Sequence, residues 1–151
     1  MYDWLKILDV FRLTGQRPED DSQINDWHSL SLRFITEIQL TIEGRTPIVM
    51  AVDCFPLLYE LINATAYISR DQDCNIYVGE GLEIKCSSMA DSYNLQIGFE
   101  LSEGRSPILQ KQLLKHEALL LVSIKNAEIV SHLESLNVDI GFYLSRFPPK
   151  A

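Results

Sequence analysis

The chain of 151 residues has the length of one domain, and its 46% hydrophobic and 23% charged residues are typical of a soluble globular protein. Its 21 acidic residues outnumber its 13 basic ones, which gives a formal net charge of −8. Because nucleic acids and anionic membranes attract basic surfaces, this balance disfavours both as direct partners and favours a basic protein. We therefore predict a single domain over residues 1–151.

The first third of the chain predicts a helix, a loop and two strands. Asp3–Leu13 has apolar residues at the spacing of one helical face, and residues 15–29 form a polar loop rich in turn formers. In Leu30–Ile42 apolar and polar residues alternate, which predicts a long strand with one face on the core. Pro47–Val52 follows a turn and predicts a second strand.

The middle of the chain predicts a helix followed by three strands. Asp53 is placed to cap a helix over Phe55–Ile68, where the apolar spacing is helical. Asn75–Val78 and Leu82–Cys86 flank a Gly-Glu-Gly turn and predict a hairpin. Tyr93–Leu101 alternates between apolar and polar residues, which predicts a further half-buried strand.

The last third fits more than one assignment. Residues 108–117 fit either a helix or a strand, and Leu119–Ile124 favours a buried strand. A helix from Asn126 and an alternating strand over Val138–Leu144 complete the chain. Because hairpins join the early strands, we predict an α+β fold with a mostly antiparallel sheet of about six or seven strands and helices packed on one side.

Cysteine usage and the N-terminus predict a soluble cytoplasmic protein. Cys54, Cys74 and Cys86 are an odd number of cysteines without metal-site spacing, so neither a zinc site nor a disulfide framework is indicated. Reduced thiols in the cytosol are therefore expected. The first residues lack the basic and apolar regions of a secretory signal, and the apolar runs are too short to span a membrane.

No motif predicts a catalytic, metal or cofactor site. The glycine-rich phosphate loops and the common hydrolase motifs are absent from the sequence. Cys54 is the best candidate nucleophile because a helix N-terminus lowers a thiol pKa, although the neighbouring Asp53 opposes this. The carboxylates of 19–21 and 71–73 lack the remaining positions of a calcium loop. The sequence also contains three scattered histidines, His28, His116 and His132.

The segment from Asp71 to Glu103 contains seven acidic residues, with Lys85 as its basic residue. Clustered acidic charge steers a basic partner and raises its association rate. The alternative is that these residues form solvated hairpin faces and loops that keep the protein soluble. Exposed aromatic side chains, including Trp27, are expected to supply the anchors of such an interface. The predicted partner-binding residues are Asp71, Asp73, Tyr77, Glu80, Glu83, Asp91 and Tyr93.

Residues 41–68, TIEGRTPIVMAVDCFPLLYELINATAYI, combine a strand, a glycine turn, a short strand and a helix that opens with Phe-Pro-Leu-Leu. This layout resembles that of small acidic bacterial immunity-type proteins, over at most residues 30–101. The resemblance implies a cytosolic, non-enzymatic protein that binds a toxin domain and blocks it. Toxins that attack nucleic acid are commonly basic, so an acidic surface would occupy the cleft that receives phosphate.

Two other classes of function stay open at this stage. An accessory or self-assembling interaction protein would pair through an edge strand or through the tail Phe147-Pro148-Pro149. A small enzyme would use Cys54 as its nucleophile.

Overall fold

The computed structural model describes residues 3–150, in which seven antiparallel strands form two sheets. The three-stranded sheet has the order β1-β2-β3, and the four-stranded sheet has the order β4-β5-β6-β7. The strands are β1 (Leu5–Arg12), β2 (Phe34–Leu40), β3 (Ile48–Asp53), β4 (Cys74–Gly79), β5 (Leu82–Met89), β6 (Ser92–Phe99) and β7 (Leu109–Leu114). The predicted α+β class is thus confirmed, with the strands divided between two sheets.

Two long helices pack against both sheets. The helices are α1 (Trp27–Ser31), α2 (Cys54–Ser69), α3 (Lys115–Ser135) and α4 (Ile140–Arg146). Helix α2 contacts α3 and β4, and α3 also contacts β1. A cavity of about 10 Å³ marks the centre of the core, where Leu5, Leu61, Ile76 and Leu121 bring β1, α2, β4 and α3 together. Within residues 3–150, no helix combines the length and the apolar character needed to cross a bilayer.

Helix α2 confirms the helix predicted over Phe55–Ile68. Its buried residues recur at helical spacing because one side of the helix faces the core. Asp53 precedes the helix as predicted, but its carboxylate makes no capping hydrogen bond. The predicted hairpin of β4 and β5 and the predicted strand β6 are also confirmed.

Strand β1 lies where apolar spacing predicted a helix over Asp3–Leu13, so that prediction is wrong. A bulge at Leu8 shifts the register against β2 between Ile7 and Asp9. A bulge inserts one extra residue, which breaks the period-two alternation and produces apolar spacings that imitate a helix. The side chains on the inner side are Leu5, Ile7, Val10 and Arg12.

The structure also corrects the elements predicted for the last third of the chain. The predicted strand Leu119–Ile124 belongs to α3, in which Leu121 and Val122 are buried while Leu120 is 48% exposed. The segment 108–117, left open between helix and strand, contains both, since residues 109–114 form β7 and residues 115–117 begin α3. The predicted strand Val138–Leu144 contains α4, and Asp139 caps it by accepting a hydrogen bond from the Phe142 amide at 3.1 Å. Short apolar runs fit a buried strand and a buried helix equally well.

Residues 15–29, predicted as a polar loop, contain a 3-10 turn (Pro18–Gln23) and the start of α1. Asp21 holds this segment against the three-stranded sheet. Its Oδ2 lies 2.7 Å from Arg12 Nη2, and its Oδ1 lies 2.6 Å from Arg33 Nε. Both guanidinium groups are largely buried, so the shared carboxylate compensates their charge.

Candidate interaction surface on the four-stranded sheet

The four-stranded sheet has one covered face and one open face. Successive side chains of a strand point to opposite faces, and the inward set, which includes Ile76, Ile84 and Leu95, packs against α2 and α3. We call the outward set the outer face. Its residues are Asn75 and Tyr77 on β4, Lys85, Ser87 and Met89 on β5, Ser92, Asn94 and Gln96 on β6, and Gln110, Gln112 and Leu114 on β7.

The outer face is poor in charge and carries large apolar side chains. Lys85 is the one charged residue in the set named above. Tyr77, Met89 and Leu114 are 48%, 51% and 50% exposed, respectively. The centres of protein interfaces are depleted in charge and enriched in Tyr and Met, so this composition is typical of a binding surface.

Sequence reasoning identified Tyr77 but missed the rest of the outer face. The signal was present in the alternation of strands β5 to β7, whose polar positions are mostly uncharged Ser, Asn and Gln. A cluster of charged residues can be recognised directly in a sequence. A shortage of charge on one face of a sheet can be recognised only when the register shows which residues share that face.

Glu83 points to the same side of the sheet, but the loop after β6 covers it. Its carboxylate accepts hydrogen bonds from Asn75 Nδ2 at 2.8 Å, Ser102 Oγ at 2.5 Å and the Ser102 amide at 3.1 Å. The Ser102 and Asn75 hydrogen bonds lower the pKa of Glu83. Glu83 is 5% exposed and fixes the loop. Its predicted role as a partner contact is therefore corrected to a structural one.

Tyr93 also lies inside the protein. Its side chain is 1% exposed, and its hydroxyl donates to the backbone carbonyls of Ile68 at 3.3 Å and Gln72 at 3.0 Å. These bonds tie the C-terminal end of α2 to the four-stranded sheet. The prediction of Tyr93 as a partner contact required an exposed ring, and the structure does not provide one.

The acidic residues of 71–103 separate into two groups at opposite ends of the four-stranded sheet. The first acidic end contains Asp71, Asp73 and Asp91, beside the start of β4 and the turn between β5 and β6. The second acidic end contains Glu80, Glu100 and Glu103, beside the other two turns. Strand β5 has 8 residues, so the two ends lie about 25 Å apart.

Each acidic end retains exposed carboxylates. At the first end Asp71 pairs with Lys115 at 2.8 Å, and Asp73 accepts the Ser88 amide at 2.7 Å. At the second end Glu100 pairs with Arg105 at 3.0 Å. The side chains of Asp91, Glu80 and Glu103 are exposed to solvent. The outer face is therefore bordered by acidic charge at both of its ends.

Trp27 lies on a neighbouring surface. It is 37% exposed, and its ring centroid lies 4.5 Å from that of Tyr59 and 6.3 Å from that of Phe147, beside a groove of about 490 Å³. Glu60 lines this groove and also accepts a hydrogen bond from the Tyr77 backbone amide at the edge of β4. Two predicted aromatic anchors, Trp27 beside the groove and Tyr77 on the outer face, therefore lie on adjoining surfaces.

Cys54 lacks the setting of a nucleophile. The residue is fully buried at the start of α2, and burial raises the pKa of its thiol to about 12. A nucleophilic thiol must be accessible to its substrate and must ionise readily to the thiolate. His116 and His132 lie 16 positions apart on α3, about 24 Å along its axis, and His28 lies on α1. The structure does not assemble these residues into one site.

The carboxylates considered for calcium have protein partners. Glu19 and Asp20 lie 3.6 and 3.3 Å from the Arg17 guanidinium, and Asp21 is shared by two arginines. Within residues 3–150, no three His, Cys, Asp or Glu side chains are grouped to hold a metal ion.

A further groove of about 790 Å³ lies between the 3-10 turn of Pro18–Gln23 and the start of α4. Three of its four charged residues already serve the fold, and the fourth, Glu19, is exposed beside Arg17. Arg12 and Asp21 bond to each other, Arg12 also donates to the Leu136 carbonyl at 3.0 Å, and Asp139 caps α4.

Comparison with known proteins identifies no relative of this chain. No family model matches the chain, and no curated protein or solved structure matches it.

Proposed function

We propose that this chain is a non-enzymatic inhibitor of the immunity type, which binds a basic toxin domain through the outer face of the four-stranded sheet. The observation that carries the proposal is a charge-poor sheet face with an acidic group at each end. The resemblance of residues 41–68 to immunity-type proteins supports a toxin domain as the partner.

The middle of the outer face, whose side chains are polar and mostly uncharged, would be the centre of the interface, with Tyr77 near one end of the sheet and Met89 and Leu114 near the other. Tyr77, Met89 and Leu114 would be desolvated on binding, and a few large side chains of this kind dominate interface energy. The open strands cover about 15 by 20 Å, or about 300 Å². A standard interface buries about 800 Å² on each partner, so the two acidic ends would supply much of the remaining contact.

The acidic ends would select a basic partner. Opposite charge at the border of an interface raises the association rate and excludes partners of like charge. Three residues of the acidic ends, Asp71, Glu80 and Glu100, have φ angles of 59°, 52° and 54°, in the left-handed region that favours glycine. A carboxylate held at such a position costs stability of about 1 kcal/mol, which is consistent with a role for its charge.

The same charges disfavour self-assembly through this face. Both ends of the outer face are acidic, so two copies stacked with aligned strands would bring like charges together in either direction. A foreign basic surface meets no such repulsion. The self-assembling alternative therefore has less support than the inhibitor.

The proposal is tested by affinity isolation of the tagged chain from its host at low and moderate salt. The outer-face variant Tyr77→Ala/Met89→Ser/Leu114→Ser is compared with the wild type. A matched control, Phe11→Ser/Val49→Ser, changes exposed apolar side chains on the other sheet. We expect the wild type and the control to retain a stoichiometric basic protein at low salt and the outer-face variant to lose it.

Two results would contradict the proposal. One is equal retention of the companion by the outer-face variant, which would place the binding surface elsewhere. The other is recovery of the chain alone as a defined homo-oligomer, which would favour the self-assembling alternative.

A further inference from the structure

Two of the three cysteines face each other across a hairpin. Cys74 on β4 and Cys86 on β5 are direct partners in the antiparallel ladder. The Cα atoms of such partners lie about 4.5–5.5 Å apart, within the range of about 4.4–6.8 Å that a disulfide bridges. Both thiols are free, and the Cys86 S–H lies near two acceptors, the Cys74 sulfur and the Ile84 carbonyl oxygen at 4.0 Å.

The two thiols differ in access and in acidity. Cys74 is partly exposed at the sheet edge, whereas Cys86 is 1% exposed. The hydrogen bond from Cys86 lowers the pKa of Cys74, against the opposing effects of burial and of Asp73. The same hydrogen bond, together with burial, raises the pKa of Cys86. Cys74 is therefore positioned as the attacking thiol and Cys86 as the resolving thiol.

We propose that Cys74 and Cys86 are a redox modification site that forms a reversible cross-strand disulfide on reaction with a hydroperoxide. The Cys74 thiolate attacks one oxygen of hydrogen peroxide and the O–O bond breaks, so that Cys74 becomes a sulfenic acid and a hydroxide is released. This hydroxide takes up the proton that the Cys74 thiol lost on ionisation, which gives one water. The Cys86 sulfur then attacks the Cys74 sulfur, and the displaced hydroxide takes the Cys86 proton to form a second water. Two electrons pass from the two sulfurs to the peroxide.

The surroundings accommodate the bond. Cys86 lines the small internal cavity of the core. The bond would join β4 to β5 directly under the outer face, next to Asp73 of the first acidic end. This inference stands independently of the proposed function, because it depends on the hairpin register alone.

The test treats the reduced full chain with a series of hydrogen peroxide concentrations, alkylates the remaining thiols and maps the tryptic peptides. Trypsin cleaves after Arg70, Lys85 and Arg105, so the two thiols fall on separate peptides, 71–85 and 86–105. We expect a disulfide-linked species of these two peptides. Its mass should be about 2 Da below the summed mass of the two reduced peptides, because two hydrogens are removed. Dithiothreitol is expected to restore both free peptides, while Cys54 stays alkylatable after denaturation in every sample.

Variants separate the two steps. Cys54→Ala serves as the matched control and should form the link like the wild type. Cys74→Ala should abolish the link and leave Cys86 reduced. Cys86→Ala should leave Cys74 as a sulfenic acid that dimedone traps. If the Cys86 variant does not fold, Cys74→Ala still tests the proposal, because position 74 is half-buried and tolerates the change more easily. Unlinked wild-type peptides, whether both thiols stay reduced or Cys74 is over-oxidised to a sulfinic acid, would overturn the proposal.

Discussion

A Cβ atom added to Gly79 would lie 2.8 Å from both Cβ and Cγ1 of Val52. The absent side chain therefore lets the end of β4 approach β3, and the two sheets meet at this point. The same approach brings Asp53 close to the second acidic end. Burial, with the Glu80 carboxylate as the second cause, raises the pKa of Asp53.

Replacement of Gly79 by alanine should destabilise the protein by about 3 kcal/mol, because the new methyl group overpacks against Val52 and φ is +137°. Urea unfolding followed by circular dichroism measures the loss. Gly44→Ala is the matched control, since Gly44 has φ +77° with no atom within 4 Å of an added Cβ. Gly44→Ala should lower the free energy of unfolding by about 1 kcal/mol. Equal losses for the two variants would show that the contact with Val52 does not contribute to the effect of Gly79→Ala.

The sequence predicted best where local signals agree with the fold. Strands β4 to β6 were predicted because a glycine turn and period-two alternation both mark a hairpin. Helix α2 was predicted because its apolar spacing is regular. Strand β1 was missed because a bulge breaks its alternation, and α3 was misread because its continuous apolar run over residues 118–122 obscures the helical spacing of its buried residues.

The candidate surface was predicted in part for a similar reason. Sequence proximity grouped the acidic residues of 71–103, but consecutive turns of an antiparallel meander fall at alternate ends of the sheet. Asp91 therefore joins Asp71 at one end, while Glu80 lies at the other. The burial of Glu83 depends on Ser102, a contact across 19 positions that no local pattern reports.

The Asp21→Asn substitution should destabilise the protein by about 3 kcal/mol, because it leaves the buried charges of Arg12 and Arg33 without their shared carboxylate. Chemical denaturation checks this loss. Asp20→Asn is the control, since Asp20 pairs with the exposed Arg17. That change should cost about 0.5 kcal/mol or less. Similar effects for the two variants would refute the role of the Asp21 network.

Stability should fall as the pH rises from about 10 to about 12, because of the buried Tyr143. Burial, with Asp21 as the second cause, raises the pKa of Tyr143 from 10.0 to about 12. In this interval the unfolded chain has released the phenolic proton while the folded protein retains it, so rising pH favours unfolding. Burial also raises the pKa of Tyr59 and Tyr93 in the same direction.

Urea unfolding at a series of pH values between 9 and 12 measures this dependence on the wild type and on Tyr143→Phe. The variant should lose about 1 kcal/mol at pH 8 with the hydrogen bond from the Tyr143 hydroxyl to the Asp21 carbonyl. Its stability should then decline less steeply with pH than that of the wild type. Parallel pH profiles would show that Tyr143 titrates alike in both states.

Neutralising the exposed acidic ends should slow association with the basic partner by about tenfold at low salt and flatten its salt dependence. The variant is Asp71→Asn/Asp73→Asn/Glu80→Gln/Asp91→Asn, which leaves the structural Glu83 intact. Stopped-flow association with the isolated partner gives the rates. The control neutralises four carboxylates away from the outer face: Asp9, Glu37, Glu43 and Glu134. Both variants lose the same net charge, so equal slowing would assign the effect to overall charge and remove the acidic ends from the binding surface.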